Sequence, residues 1–93
     1  MRIAVDDHGD TSTVILTRIR PWKNERRFYA ASVAGDLFGN ILLFRNWGRI
    51  GTAGRIRYDI FPGAPEATAA MEKLATAKRR RGYITERPMA GQA

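Results

Sequence analysis

The feature that most constrains the fold of this chain is a change of hydrophobic period near residue 64. Before it, apolar side chains recur every second residue in four separate stretches; after it, they recur at helical spacing in one. Val14 to Arg20 is the first stretch, with Val14, Leu16, Arg18 and Arg20 on one side and Ile15, Thr17 and Ile19 on the other. Pro21 has no N–H to donate and stops that ladder, so Pro21 to Glu25 reads as a loop. Arg27 to Val33 reads as a second strand, and Gly35-Asp36 with Gly39-Asn40 supply turn chemistry around Leu37-Phe38. Asn40 to Trp47 is a third. Continued to Arg49, its period puts Ile41, Leu43, Arg45, Trp47 and Arg49 on one side, opposite Leu42, Phe44 and Asn46. Arg55 to Phe61 is the fourth, with Ile56, Tyr58 and Ile60 on the face expected to meet the core and Arg55, Arg57 and Asp59 on the face expected to meet solvent.

Residues 65 to 81 predict a helix, with Ala67, Ala70, Met71, Leu74 and Ala77 at helical spacing. Pro65 suits its first position, Glu66 its positive end, Lys78-Arg79-Arg80-Arg81 its negative end and Gly82 the residue just past it. Tyr83-Ile84-Thr85 offers a short edge strand. Strands followed by one helix imply an α+β fold: a single antiparallel sheet of four to five strands with one long helix packed across one face. Residues 1–12 read as a flexible leader, 13–85 as one domain and 86–93 as a flexible tail.

Charge narrows the function. The 93 residues carry 16 Lys and Arg against 9 Asp and Glu, a net charge of +7, and most of the bases are Arg. Guanidinium groups pair with phosphate through two donors and stack on bases, so such a surface attracts polyanions, nucleic acid first. The bland reading is a basic surface that only solubilises. With no cysteine, thiolate chemistry and disulfides are excluded, which fits a reducing cytoplasm. The start of the chain lacks the apolar stretch of a signal peptide, and no apolar run approaches membrane-spanning length, so a cytoplasmic location without membrane association is expected. His8, the one histidine, lies in the leader and has no partner with which to build a nucleophile–base pair. No catalysis, cofactor or metal is expected.

The run Trp47-Gly48-Arg49, followed by Ile50-Gly51 and the Gly54-Arg55 turn, resembles the WGR domain, which is named for that tripeptide. Its surroundings strengthen the likeness. Arg27-Phe28-Tyr29 lies upstream, Asp36-Leu37-Phe38-Gly39 makes the connecting turn, Leu42-Leu43-Phe44-Arg45 leads into the motif, and a helix ends in Lys78-Arg79-Arg80-Arg81-Gly82-Tyr83. The resemblance is to the short bacterial members and covers roughly residues 14 to 84. Relatives occur in poly(ADP-ribose) polymerases and molybdate-regulator-like proteins, and in the polymerases the domain senses DNA breaks. There the motif tryptophan packs against a nucleotide near the DNA end, and the arginine joins DNA to neighbouring domains. The resemblance therefore implicates Trp47 and Arg49 in binding DNA ends, nicks or unpaired nucleotides, in preference to RNA. No neighbouring domain stands in this sequence for Arg49 to relay to.

By parity, Arg45, Trp47 and Arg49 emerge together, with Trp47 expected as a bare ring for stacking and the arginines for phosphate. The bland alternative for Trp47 is a core residue. Arg55 and Arg57 either extend the footprint or guard an edge strand, and Lys78, Arg79, Arg80 and Arg81 either attract phosphate or offset the helix dipole, one of them turned toward the sheet. Gly48 is expected at a bend or close approach, with Gly51 and Gly54 as turn formers rather than a phosphate cradle. Trp22 reads as a lid over the core, with stacking as the alternative, and Phe28, Tyr29, Phe44, Tyr58 and Phe61 read as core. The rival function is a protein-interaction module that docks an acidic partner, with Trp47 as its anchor.

Overall fold

The computed structural model describes residues 13–86, so the leader and all but the first residue of the tail lie outside the described residues. Five strands form one antiparallel sheet: β1 (Thr13–Arg20), β2 (Glu25–Gly35), β3 (Ile41–Arg49), β4 (Arg55–Phe61) and β5 (Ile84–Thr85). A helix, α1 (Ala64–Arg80), connects β4 to β5, and the spatial order is β4-β3-β2-β1-β5. The expected fold class holds, with Ile84 and Thr85 supplying the fifth strand beside Leu16 and Thr17.

The local chemistry follows the sequence closely at the helix. Pro65 stands in the first turn with Glu66, and Lys78, Arg79 and Arg80 fill the last. Past the end, Gly82 takes a left-handed φ of 96°, which a Cβ would oppose. It donates to the Arg79 carbonyl at 3.0 Å while the Tyr83 N–H donates to Lys78 at 3.1 Å. This paired closure satisfies two orphan carbonyls and turns the buried Tyr83 back under the helix.

One side of α1 is nearly flush with the sheet because Ala67 and Ala75, both 0% exposed, add almost no thickness. Ala75 and Met71 join Val14 and Leu16 of β1, Tyr29 and Ala31 of β2 and Leu43 of β3 in one buried cluster. Ala70 and Leu74 pack at the margin, as expected, but Ala77 is exposed. No helix among the described residues is long and apolar enough to cross a membrane.

The register corrects the reading of β4. Leu43 pairs with Asp59, Arg45 with Arg57 and Trp47 with Arg55, so it is the Arg55, Arg57, Asp59 and Phe61 side that shares the helix face. Ile56, Tyr58 and Ile60 stand on the opposite, open face. They join Leu42 and Phe44 there, and the Phe44 and Tyr58 rings lie tilted at 5.3 Å between centroids. Alternation reports which residues share a side, not which side a distant helix will cover. For the same reason Tyr29 and Phe61 are inward, whereas Phe28, Phe44 and Tyr58 are not. Trp22 is not a core lid either: it sits in a one-turn 3-10 helix, Pro21–Lys23, and is 78% exposed.

Leu16 and Ile84 distinguish the two faces experimentally. Leu16→Ala removes a fully buried side chain and is expected to cost about 2–5 kcal/mol. Ile84→Thr, on the open face, should move stability by no more than about 0.5 kcal/mol. Urea midpoints of the two variants check this, and equal losses would place the core on the wrong side.

Candidate nucleic-acid interface

The motif tryptophan is placed by two antiparallel pairings at once. Trp47 lies opposite Tyr29 of β2 and Arg55 of β4, on the helix side of the sheet. Its ring is partly buried and packs against the core cluster, so the expected bare ring is corrected to a half-buried one. The Arg45 guanidinium stands 5.9 Å from the ring centroid.

Gly48 stays within β3, opposite Phe28, and the register runs on to Arg49. A Cβ on Gly48 would come within 2.9 Å of the Gly54 Cα. One on Gly54 would run into the Trp47 carbonyl oxygen and stand 2.9 Å from the Phe28 ring. These two glycines thus bring the start of β4 hard against the backbone behind Trp47, as expected of Gly48. Gly51 lies in the turn between them.

The next row along the sheet consists of arginines on three neighbouring strands: Arg18 opposite Arg27, and Arg27 opposite Arg49. Three guanidinium groups side by side repel, and Glu25 is the local answer. Its carboxylate accepts from Arg18 at 2.7 Å and Arg27 at 3.2 Å, with Arg20 at 3.7 Å. The Arg18 hydrogen bond, with the surrounding positive charge, holds the Glu25 carboxyl below its ordinary pKa. Arg18 also donates to the Arg81 carbonyl at 2.7 Å and lies over the Tyr83 ring, tying the helix end to the sheet. Arg49 donates to the backbone and side-chain oxygens of Asn24 at 3.1 and 3.3 Å, which holds the Pro21–Lys23 turn against the end of β3.

Between that turn and the row is an open hollow of about 310 Å³, lined by Lys23, Asn24, Glu25, Arg26, Arg27 and Arg49. Lys23, Arg27 and Arg49 bring three cations to it against the one carboxylate of Glu25, while Arg26, paired with Ile19, alternates to the opposite face. The exposed Trp22 belongs to the same turn, directly beside Lys23.

The remaining basic residues divide. Lys78 is the helix cation turned toward the sheet, its Nζ 5.1 Å from the centroids of both Tyr29 and Tyr83. Burial, and then repulsion from Arg81, Arg18, Arg27 and Arg45, lowers its pKa. Arg45 and Arg57 share Asp59, at 3.1 and 3.2 Å, and Arg57 foremost pulls the Asp59 carboxyl below its ordinary value. That pairing absorbs part of their charge. Arg79 points away, donating to Thr85 at the β5 edge, while Arg55, Arg80 and Arg81 are exposed. Sequence parity alone missed Arg18, Arg27 and the neutralising Glu25. Parity set Arg18 beside Leu16, but only the pairing of β1, β2 and β3 shows the row.

A family model described as WGR domain matches residues 12–90, most of the chain. The chain belongs to the WGR domain family. The family's tripeptide is Trp47-Gly48-Arg49, and the geometry explains its composition: ring and guanidinium emerge on one face while the middle residue leaves room behind them. An uncharacterized protein, y4dW, of Sinorhizobium fredii (strain NBRC 101917 / NGR234) is 42% identical over 66 residues, which are 71% of this chain and 32% of that protein. The chain thus spans about a third of that relative's length. A crystal structure of a Bacteroides fragilis protein shares the fold, with a TM-score of 0.68 at 22% identity, over 84% of this chain and 20% of that one.

Glu25 and Asp59 both have lowered pKa values, so the unfolded chain takes up their protons first as pH falls. Their stabilisation is complete above the ordinary values of 4.5 and 3.8 and is lost progressively below them. Thermal melts between pH 6 and pH 3 should therefore show a falling Tm, with a shallower fall in Glu25→Gln. An identical slope in the two proteins would refute the role given to Glu25.

Proposed function

We propose that this protein is a non-catalytic nucleic-acid-binding module that takes a DNA end, nick or unpaired nucleotide on the helix side of its sheet. The observation that carries the reading is the hollow beside the motif, where the cations of Lys23, Arg27 and Arg49 outnumber the single carboxylate of Glu25. A region with that excess of cations favours phosphate, and guanidinium donors hold it by charge-assisted hydrogen bonds. The exposed part of Trp47, next to this row, suits packing on a terminal sugar or base, where stacking contributes about 1–3 kcal/mol. Trp22 stands at the rim as a second ring, and Arg55 continues the charge along the neighbouring strand.

Among the residues implicated from sequence, Trp47, Arg49, Arg55 and Lys78 form the heart of this surface. Arg18 and Arg27 join them. Arg80 and Arg81 extend its field, while Arg45 and Arg57 contribute chiefly through the pairing with Asp59. Arg79 is held at the far edge and takes the smallest part.

Fluorescence-anisotropy titrations of nicked, blunt-ended and single-stranded DNA test this. Affinity should fall steeply with salt, and Arg27→Ala and Arg49→Ala should each reduce the slope of log K against log salt by about 1. Trp47→Phe keeps a ring against the core and should cost severalfold in affinity, with Trp22→Ala adding to it. Arg79→Ala should bind like the unaltered protein. Absence of binding at low salt, together with capture of an acidic protein by the same face, would establish the interaction-module reading in its place.

A further inference from the structure

The two edges of the sheet are protected very differently. The β5 edge is two residues long, too short to template another strand. The β4 edge is seven residues long, Arg55–Phe61, and among the described residues no strand lies beside it. Its open face bears Ile56, Tyr58 and Ile60, which are 57, 61 and 68% exposed. No charge, proline or bulge interrupts that apolar line. A free row of backbone donors and acceptors with bare apolar side chains is what strand pairing requires.

The strand is also complementary to itself about its midpoint. Tyr58 stands at the centre, with Ile56 and Ile60 two residues to either side, and Arg57 and Asp59, of opposite charge, one residue to either side. We propose that two copies of this chain associate edge to edge through β4, antiparallel and in the register centred on Tyr58.

In that register Tyr58 faces its own copy, Ile56 faces Ile60, and Arg57 faces Asp59 twice. A one-residue slip would oppose unlike partners. The Arg57 side chain is 62% exposed and free to swing across, and a carboxylate offers about four acceptor positions, enough for Asp59 to keep Arg45 as well. The two-fold axis stands perpendicular to the sheet, so both helices and both basic rows lie on one face of a ten-stranded sheet. The inference does not rest on nucleic-acid binding. Each copy carries +7, so their mutual repulsion opposes association and salt should favour it, the reverse of its effect on a phosphate complex. One edge strand buries less than a standard interface of about 1,600 Å², so the dimer is expected to be reversible.

The absence of cysteine makes disulfide trapping clean. Directly opposed residues of an antiparallel pair have Cα atoms about 4.5–5.5 Å apart, within the span a disulfide bridges. Tyr58→Cys should therefore oxidise to a covalent dimer. Ile56→Cys and Ile60→Cys should cross-link when mixed but not separately, since each is about 14 Å from its own copy. Sedimentation equilibrium of the unaltered chain in 0.5 M salt should show its 10.5 kDa mass moving toward twice that value with concentration. Arg57→Glu, which leaves Arg45 on Asp59, should weaken the association at least tenfold. A mass fixed at the monomer value up to ~1 mM, or cross-linking that ignores the Ile56–Ile60 pairing, would overturn the proposal.

Discussion

The contact between an alanine-faced helix and the middle of a sheet governs the rest of this molecule. Ala67 and Ala75 let α1 approach closely enough for Met71 to meet Leu16 and Leu43, the other two largest fully buried side chains. So small a core is spent on one patch of one face. The C-terminal end of α1 is fastened over β1 by Arg18 and by the Tyr83 turn, and the sheet continues beyond it. Where helical cover stops, the sheet rows change from Leu16 and Tyr29 to Arg18, Arg27 and Arg49. The surface proposed for binding is the uncovered remainder of the core face.

That arrangement explains why Trp47 is half-buried rather than bare. It stands in the last apolar row, alongside Tyr29 and immediately before the arginine row, so one part of the ring completes the core and the rest faces outward. A ring fixed in this way loses little freedom on meeting a ligand. The arginines are fixed too. Glu25 holds Arg18, Arg20 and Arg27, while Asp59 holds Arg45 and Arg57. In each group the carboxylate is outnumbered, so it orients the guanidinium groups without cancelling their field. The exposed Arg27 and Arg57 members add little stability, and their value lies in position.

Much of the architecture was legible beforehand. Period-two stretches marked four strands, and Pro65, Glu66 and Gly82 bracketed the helix within a residue of its observed limits. The shared side of Arg45, Trp47 and Arg49 also followed from parity, because side-chain alternation survives as long as the strand does. The errors have one origin. Ile56, Tyr58 and Ile60 alternate as cleanly as a core strand, yet they face away from the helix. Trp22 is as apolar as a core residue, yet no part of the core cluster comes over it and it stands in solvent. Neither outcome is local, since each depends on where another element lands.

The amino-acid order by itself determined which residues could act together along a strand, where the helix begins and ends, and that the motif glycine must permit close approach. These properties arise from backbone sterics and side-chain period within a few residues. Tertiary structure alone decided which face α1 would cover, and through the strand register it placed Arg18, Arg27 and Arg49 in one row. Those residues are up to 31 positions apart in the chain, and only hydrogen bonding between strands converts that separation into contact.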